Sequence, residues 1–240
     1  MNEILVMQRA GSHPHLVQFK GWYRDPADGL LCLVMGFCQG GTLEDVLKEV
    51  WAHPGSHFPE DVVMAWFCQL LLALAHLHAR HIIHRDLKPA NIFLTRNHKV
   101  VKLGDLGIAK QLEGTLELAI TCMGTPLYMS PEVMASRPYT YASDMWSLGC
   151  VLYEMAARRP AFEALGLPQL MFKILRTAYE PLPPFFSRPF QQLVTCLLRA
   201  DPADRPIAME LMQLPYVRKH LERVVGPGAL QQPGRWPRAS

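Results

Sequence analysis

The sequence predicts an α+β fold, with a little β structure at the front and a mainly helical body behind it. Three observations carry this. Apolar runs of strand character fall at 16–23 and 30–35, with two shorter pieces at 92–94 and 100–103. From residue 143 onward apolar residues instead recur at helical spacing, in segments punctuated by prolines. Between them lies an irregular stretch, 104–138, that carries several hydroxyls, and loops that long in compact domains are usually functional.

In chain order, the helical spacing of Ile4, Leu5 and Met7 ends at "AGSHP", where Gly11 and Pro14 stop a helix. The turn-prone "RDPADG" joins the first two strand-like runs. After "QGG" the pattern predicts a short helix over about 43–51, then a loop through Pro54, Gly55 and Pro59, then a long helix from Glu60 to about Arg80. The apolar stretch 62–77 contains Gln69 and His76 and follows Glu60 and Asp61. It is short for a membrane span and reads as a buried helix. The pieces 92–94 and 100–103 flank the polar "TRNHK" in hairpin fashion, and helices are expected over 143–157, 168–176, 189–199 and 207–214. After about Arg223 the Gly/Pro-rich "GPGALQQPGRWPRAS" reads as a disordered tail or linker. No internal repeat is visible.

The 240 residues suffice for one large domain or two lobes. A formal charge of +3, spread along the chain, is too mild to make nucleic acid or an anionic membrane the main partner. Six cysteines at irregular spacing form no CxxC pair, which fits a reducing compartment rather than a disulfide framework or zinc site. The amino terminus shows no signal peptide. The expected location is cytoplasmic, or else nuclear or cytoskeletal. "HLHARHIIH" places His76, His78, His81 and His84 two and three residues apart, which reads as structural rather than metal-binding.

The chemistry concentrates in "HRDLKPANIF" (84–93), where Asp86 and Asn91 are five apart, and in "GDLGIAK", which holds Asp105. "GTPLYMSPE", "SDMWSLGC" and "DPADRP" follow in order. On these motifs residues 84–205 resemble the catalytic half of a eukaryotic serine/threonine protein kinase. The "DLG" and the surroundings of "GTPLYMSPE" make the chain most similar to the NIMA-related (never-in-mitosis) kinases.

The resemblance implies a protein-kinase-like fold: a mainly helical C-lobe (39–222) behind a truncated, β-containing N-lobe with its hinge (1–38), then a tail (223–240). It implies transfer of the ATP γ-phosphoryl group to protein serine or threonine, with ATP and magnesium as cofactors. A carboxylate must accept the hydroxyl proton, which assigns Asp86 as base. Hard oxygen ligands must hold the metal, which assigns Asn91 and Asp105. Lys88 places positive charge near the transferring group, and Met35, Gly36 and Cys38 in "LVMGFCQGG" form the adenine hinge, its hydrogen bonds supplied by the backbone of Gly36 and Cys38. Arg85 is suited to hold a phosphate, for which Thr121 is the candidate site ahead of Thr125. Asp144 is expected to hydrogen-bond the catalytic-loop backbone, and Glu132 to pair with Arg205. Met7, Phe19, His84 and Leu106 are expected to stack as a column between lobes.

A glycine-rich loop and a strand lysine, which kinases also need, do not precede the first helix, where Glu3 stands as the expected helix glutamate. The alternative reading is therefore a catalytically impaired, protein-binding relative. The protein substrate and the oligomeric state are not legible in the sequence.

Overall fold

In a computed structural model of the chain, residues 2–106 and 126–226 are described, with side chains from residue 4 onward. Helix α1 (Asn2–Ala10) buries Ile4, Met7 and Ala10 and ends at Gly11, whose φ of +66° favours glycine. Strands β1 (Phe19–Arg24) and β2 (Leu31–Met35) pair antiparallel from Phe19 opposite Met35 to Arg24 opposite Leu31, with an irregularity between Phe19 and Gly21. Residues 16–18 of the first expected run lie outside β1. Leu16 instead forms a parallel bridge to Leu103, which fastens the front of the molecule to its body.

Helix α2 (Leu43–Ala52) starts on a capping box, with Thr42 and Asp45 satisfying each other's backbone N–H. Helix α3 (Glu60–His78) is the central element. Among the described residues it alone is long and apolar enough to cross a membrane, yet 78% of its apolar window is buried inside the protein. Its Glu60 accepts hydrogen bonds from the Ser187 N–H and hydroxyl and from Tyr216, so the helix start is tied to two distant segments.

Strands β3 (Ile92–Leu94) and β4 (Val101–Leu103) form a small antiparallel hairpin. The buried Gln69 amide of α3 pins it, donating to the Lys99 carbonyl at 3.0 Å and accepting the Val101 N–H at 2.8 Å.

Behind it come α4 (Pro131–Met134), α5 (Tyr141–Ala157), α6 (Leu167–Leu175), α7 (Arg188–Leu197), α8 (Ala208–Leu211) and α9 (Pro215–Val225). The core is built where α3 packs on α5, α9 and β4, and where α5 packs on α7. Gly149 permits the last of these contacts, since a Cβ there would lie 2.7 Å from Leu197 Cβ.

The structure corrects two expectations. The span 104–138, read as irregular, contains the single-turn helix α4. The helix expected over 207–214 is only α8, and Pro215 starts a further helix, because proline at a first helical position sacrifices no hydrogen bond. Helix α9 continues to Val225, where Val224 and Val225 pack against the core and Arg223 pairs with Asp61 at 2.8 Å.

Candidate active site

The loop after α3 reverses through His81 and Arg85, at φ of +56° and +70°. Such backbone must be held from outside, and the fully buried Asp144, early in α5, holds it. One carboxylate oxygen accepts the His84 N–H at 2.9 Å and His78 Nε2 at 2.8 Å. The other accepts the Arg85 N–H and the Tyr139 hydroxyl, both at 3.0 Å. Burial alone pushes this carboxyl up, but the hydrogen bond and charge of His78 and the His84 contacts outweigh it and hold the group below its ordinary value of 3.8.

His84 is itself fully buried. Its Nδ1 accepts the Asp86 N–H at 3.3 Å, so the ring donates from Nε2 to the Gly104 carbonyl at 2.9 Å. That bond joins the 84–93 segment to Gly104–Asp105. The four closely spaced histidines go to different partners: His76 to the Ala10 carbonyl, His78 to Asp144, His81 to the Tyr141 hydroxyl and His84 to Gly104.

The loop then presents its polar groups together. Lys88 Nζ lies 3.1 and 2.9 Å from the two carboxylate oxygens of Asp86. A single turn of 3₁₀ helix, Pro89–Asn91, brings the Asn91 amide back onto Asp86, donating to its carbonyl at 2.7 Å and its Oδ2 at 3.0 Å. The Gly104 N–H donates to the Asn91 carbonyl at 2.9 Å. Gly104 has no room for a side chain, since a Cβ would lie 2.7 Å from the Phe93 ring. Asp105 follows at φ +48°, exposed between the buried Gly104 and Leu106.

At the end of β2, the Gly36 N–H is engaged by the Gln18 carbonyl at 2.8 Å, which leaves the Gly36 carbonyl and the Cys38 N–H without a backbone partner among the described residues. Met35 is 44% exposed rather than enclosed, and Phe37 is 87% exposed. Met7, His84 and Leu106 are buried and Phe19 is half-buried against the same core.

Farther along, Arg205 forks onto Glu132 at 2.8 and 2.6 Å, and Ser143 donates to the same carboxylate at 2.7 Å. Burial raises the Glu132 carboxyl, but the Arg205 and Ser143 hydrogen bonds prevail and hold it low. Tyr128 donates to Glu154 at 2.6 Å, anchoring the same segment to α5. Arg85 projects an exposed side chain with no hydrogen bond or ion pair to a described residue. Thr121 and Thr125 lie outside the described residues, as does the Glu3 side chain.

Two residues that fix the loop carry no sequence signal of that role. His78 sits within a histidine run at the end of α3, and Tyr139 precedes α5 without any periodicity. Only the tertiary fold brings both to Asp144.

The chain is 43% identical to serine/threonine-protein kinase Nek4 of Mus musculus over 210 residues, covering 87% of this chain and 26% of that protein. It is 39% identical to serine/threonine-protein kinase Nek5 of Homo sapiens over 230 residues, 96% of this chain and 32% of that protein. With serine/threonine-protein kinase Nek1 of Mus musculus it shares 42% identity over 215 residues, 90% of this chain and 17% of that protein. The chain thus spans between 17% and 32% of the length of these curated relatives. The family model for the protein kinase domain matches residues 1–217, from α1 into α9, and the chain belongs to that family.

Proposed function

We propose that this chain carries the catalytic centre of a NIMA-related serine/threonine protein kinase, which transfers the γ-phosphoryl group of ATP to serine or threonine hydroxyls of proteins. The observation that supports it best is the Asp86–Lys88–Asn91 cluster, with contacts of 2.9–3.1 Å, suspended from Asp144.

The donor set suits magnesium nucleotide. Asn91 spends its amide N–H groups on Asp86, leaving its oxygen as a hard ligand, and the Asp105 carboxylate is exposed with no partner among the described residues. Magnesium takes one or two such protein oxygens and completes its shell with phosphate and water. The Gly36 carbonyl and Cys38 N–H offer one acceptor and one donor, as the edge of adenine requires. Bound Mg-ATP supplies the transferable phosphoryl group with its charge offset by the metal.

The chain's own residues do the rest. Asp86, oriented by Asn91, accepts the proton of the attacking hydroxyl, and Lys88 holds positive charge beside it as negative charge moves. Phosphate on Thr121 is proposed to engage Arg85, whose side chain has no ion pair to a described residue. A cytoplasmic, nuclear or cytoskeletal setting is part of the proposal, supported by the free thiols of Cys32, Cys38, Cys68, Cys150 and Cys196.

A second reading, a protein-binding relative with impaired catalysis, is favoured by the exposure of Met35 and Phe37 beside the hinge. Magnesium-dependent ATP binding and phosphorylation of a serine/threonine peptide separate the two. The first reading expects both, with loss of magnesium-dependent binding in Asp105→Ala. Binding without transfer supports the second, and absence of nucleotide binding contradicts the first.

A further inference from the structure

We propose that the groove between the start of α3, the β3–β4 turn and the end of α9 is a docking site for an acidic, apolar peptide segment of a partner protein. It is built from residues that the catalytic reading does not use. Its volume is about 670 Å³, within the roughly 300–1,000 Å³ of functional ligand sites.

The floor is apolar and half-buried, formed by Phe58, Val62, Ala65, Val100 and Val224. The polar groups beneath it are already satisfied. Trp66 donates its indole N–H to the His98 carbonyl at 2.8 Å, and both ends of the Gln69 amide are bonded to the hairpin. The floor therefore offers an occupant apolar contact, and selectivity must come from the rim.

Charge on the rim is unbalanced. Arg223 is compensated by Asp61 at 2.8 Å, and His220 faces the same carboxylate at 3.7 Å. Lys99 lines the groove, exposed and with no ion pair to a described residue, and Arg96 on the same turn is likewise exposed and unpaired. His15 adds no third cation, because burial holds its imidazole near 4. Two cations without an ion pair to a described residue, Lys99 in the groove and Arg96 on the adjoining turn, suit an apolar side chain flanked by aspartate or glutamate.

The chain's own segment 227–240 follows α9 directly, but it carries Arg235 and Arg238 and no acidic residue. Its charge is wrong for this rim. Association with an acidic segment is further expected to be salt-sensitive, because exposed cations of this kind are screened.

The test is phage selection of random dodecapeptides on the intact protein, followed by fluorescence anisotropy of the synthetic winners. The expected winners combine apolar residues with aspartate or glutamate. Ala65→Arg, which fills the floor, should weaken them by about tenfold or more. Lys99→Glu, on an exposed side chain that leaves the fold intact, should weaken them and favour lysine-substituted versions instead. Thermal melts of both variants check folding. Winners that are basic, winners indifferent to both substitutions, or no winners at all would overturn the proposal. So would binding that appears only after removal of residues 227–240, since the tail would then be the occupant.

Discussion

Asp144 and Arg85 meet across 59 residues of chain, the carboxylate of one accepting the backbone N–H of the other at 3.0 Å. This bond, with its partner at His84, fixes the positive-φ backbone immediately before the proposed base. Asp144→Ala would leave four donors facing a void: the backbone N–H groups of His84 and Arg85, the His78 ring and the Tyr139 hydroxyl. At about 1–3 kcal/mol for each buried group left unpaired, we predict a loss of at least about 3 kcal/mol in urea denaturation, against about 1 kcal/mol for Tyr139→Phe. The Asp144 pKa is lower folded than its ordinary 3.8, so its contribution is present above 3.8 and is lost as pH falls through the lower folded value. Equal stabilities for Asp144→Ala and the parent protein would refute this role.

Glu132 and Arg205 are both buried, at 2% and 3% exposure, and bonded through two oxygens. Removing one partner strands the other charge, so Arg205→Met should cost about 3–5 kcal/mol. Adding Glu132→Leu to Arg205→Met should recover part of that loss. A double variant as unstable as the sum of the two single variants would show that the charges are not coupled.

Glu154 should give the fold a pH dependence of opposite sign to that of Asp144. Burial raises its carboxyl from 4.5 to about 7, with the Tyr128 bond opposing and the Glu44 charge adding to the rise. A raised folded pKa means the group's stabilising contribution is complete below 4.5 and is lost as pH climbs through about 7. Unfolding free energies from denaturation at pH 5 to 8 should fall by an amount on the order of a few kcal/mol in the parent. Glu154→Gln should flatten that part of the profile, and an unchanged slope would contradict the assignment.

Activation is predicted to depend on Thr121 through Arg85. Thr121→Ala should abolish the gain in phosphoryl transfer produced by phosphorylation, and Arg85→Ala should reproduce that loss even when Thr121 carries phosphate. Mass spectrometry of the phosphorylated protein checks the site. If Thr115→Ala, at another hydroxyl of the 104–138 stretch, removes the gain and Thr121→Ala does not, the hydroxyl has been misassigned.

The parts of this protein most legible in sequence are those where chemistry and spacing coincide. Asp86, Lys88 and Asn91 lie within six residues of one another in the chain, and a single 3₁₀ turn suffices to bring their polar groups together. Strands β3 and β4, only three residues each, are readable because a polar turn separates two apolar pieces. Helix α4 is not, since four residues are too few to show a helical period. No helix is expected after 214, although Pro215 occupies a position where proline starts helices. His78 and Tyr139 are silent for a different reason: their role exists only in contact with Asp144, 66 and five residues away along the chain.

The central claim is that Asp86 accepts the proton of a serine or threonine hydroxyl during phosphoryl transfer, and the Asp86→Asn variant tests it most directly. The asparagine keeps the volume and can still meet Asn91, but it cannot take a proton at working pH. Turnover with saturating Mg-ATP and a serine/threonine peptide should fall by about 10²–10⁴-fold, while the melting temperature and nucleotide affinity stay close to those of the parent. Near-parental turnover by a folded, nucleotide-binding Asp86→Asn protein would contradict the account.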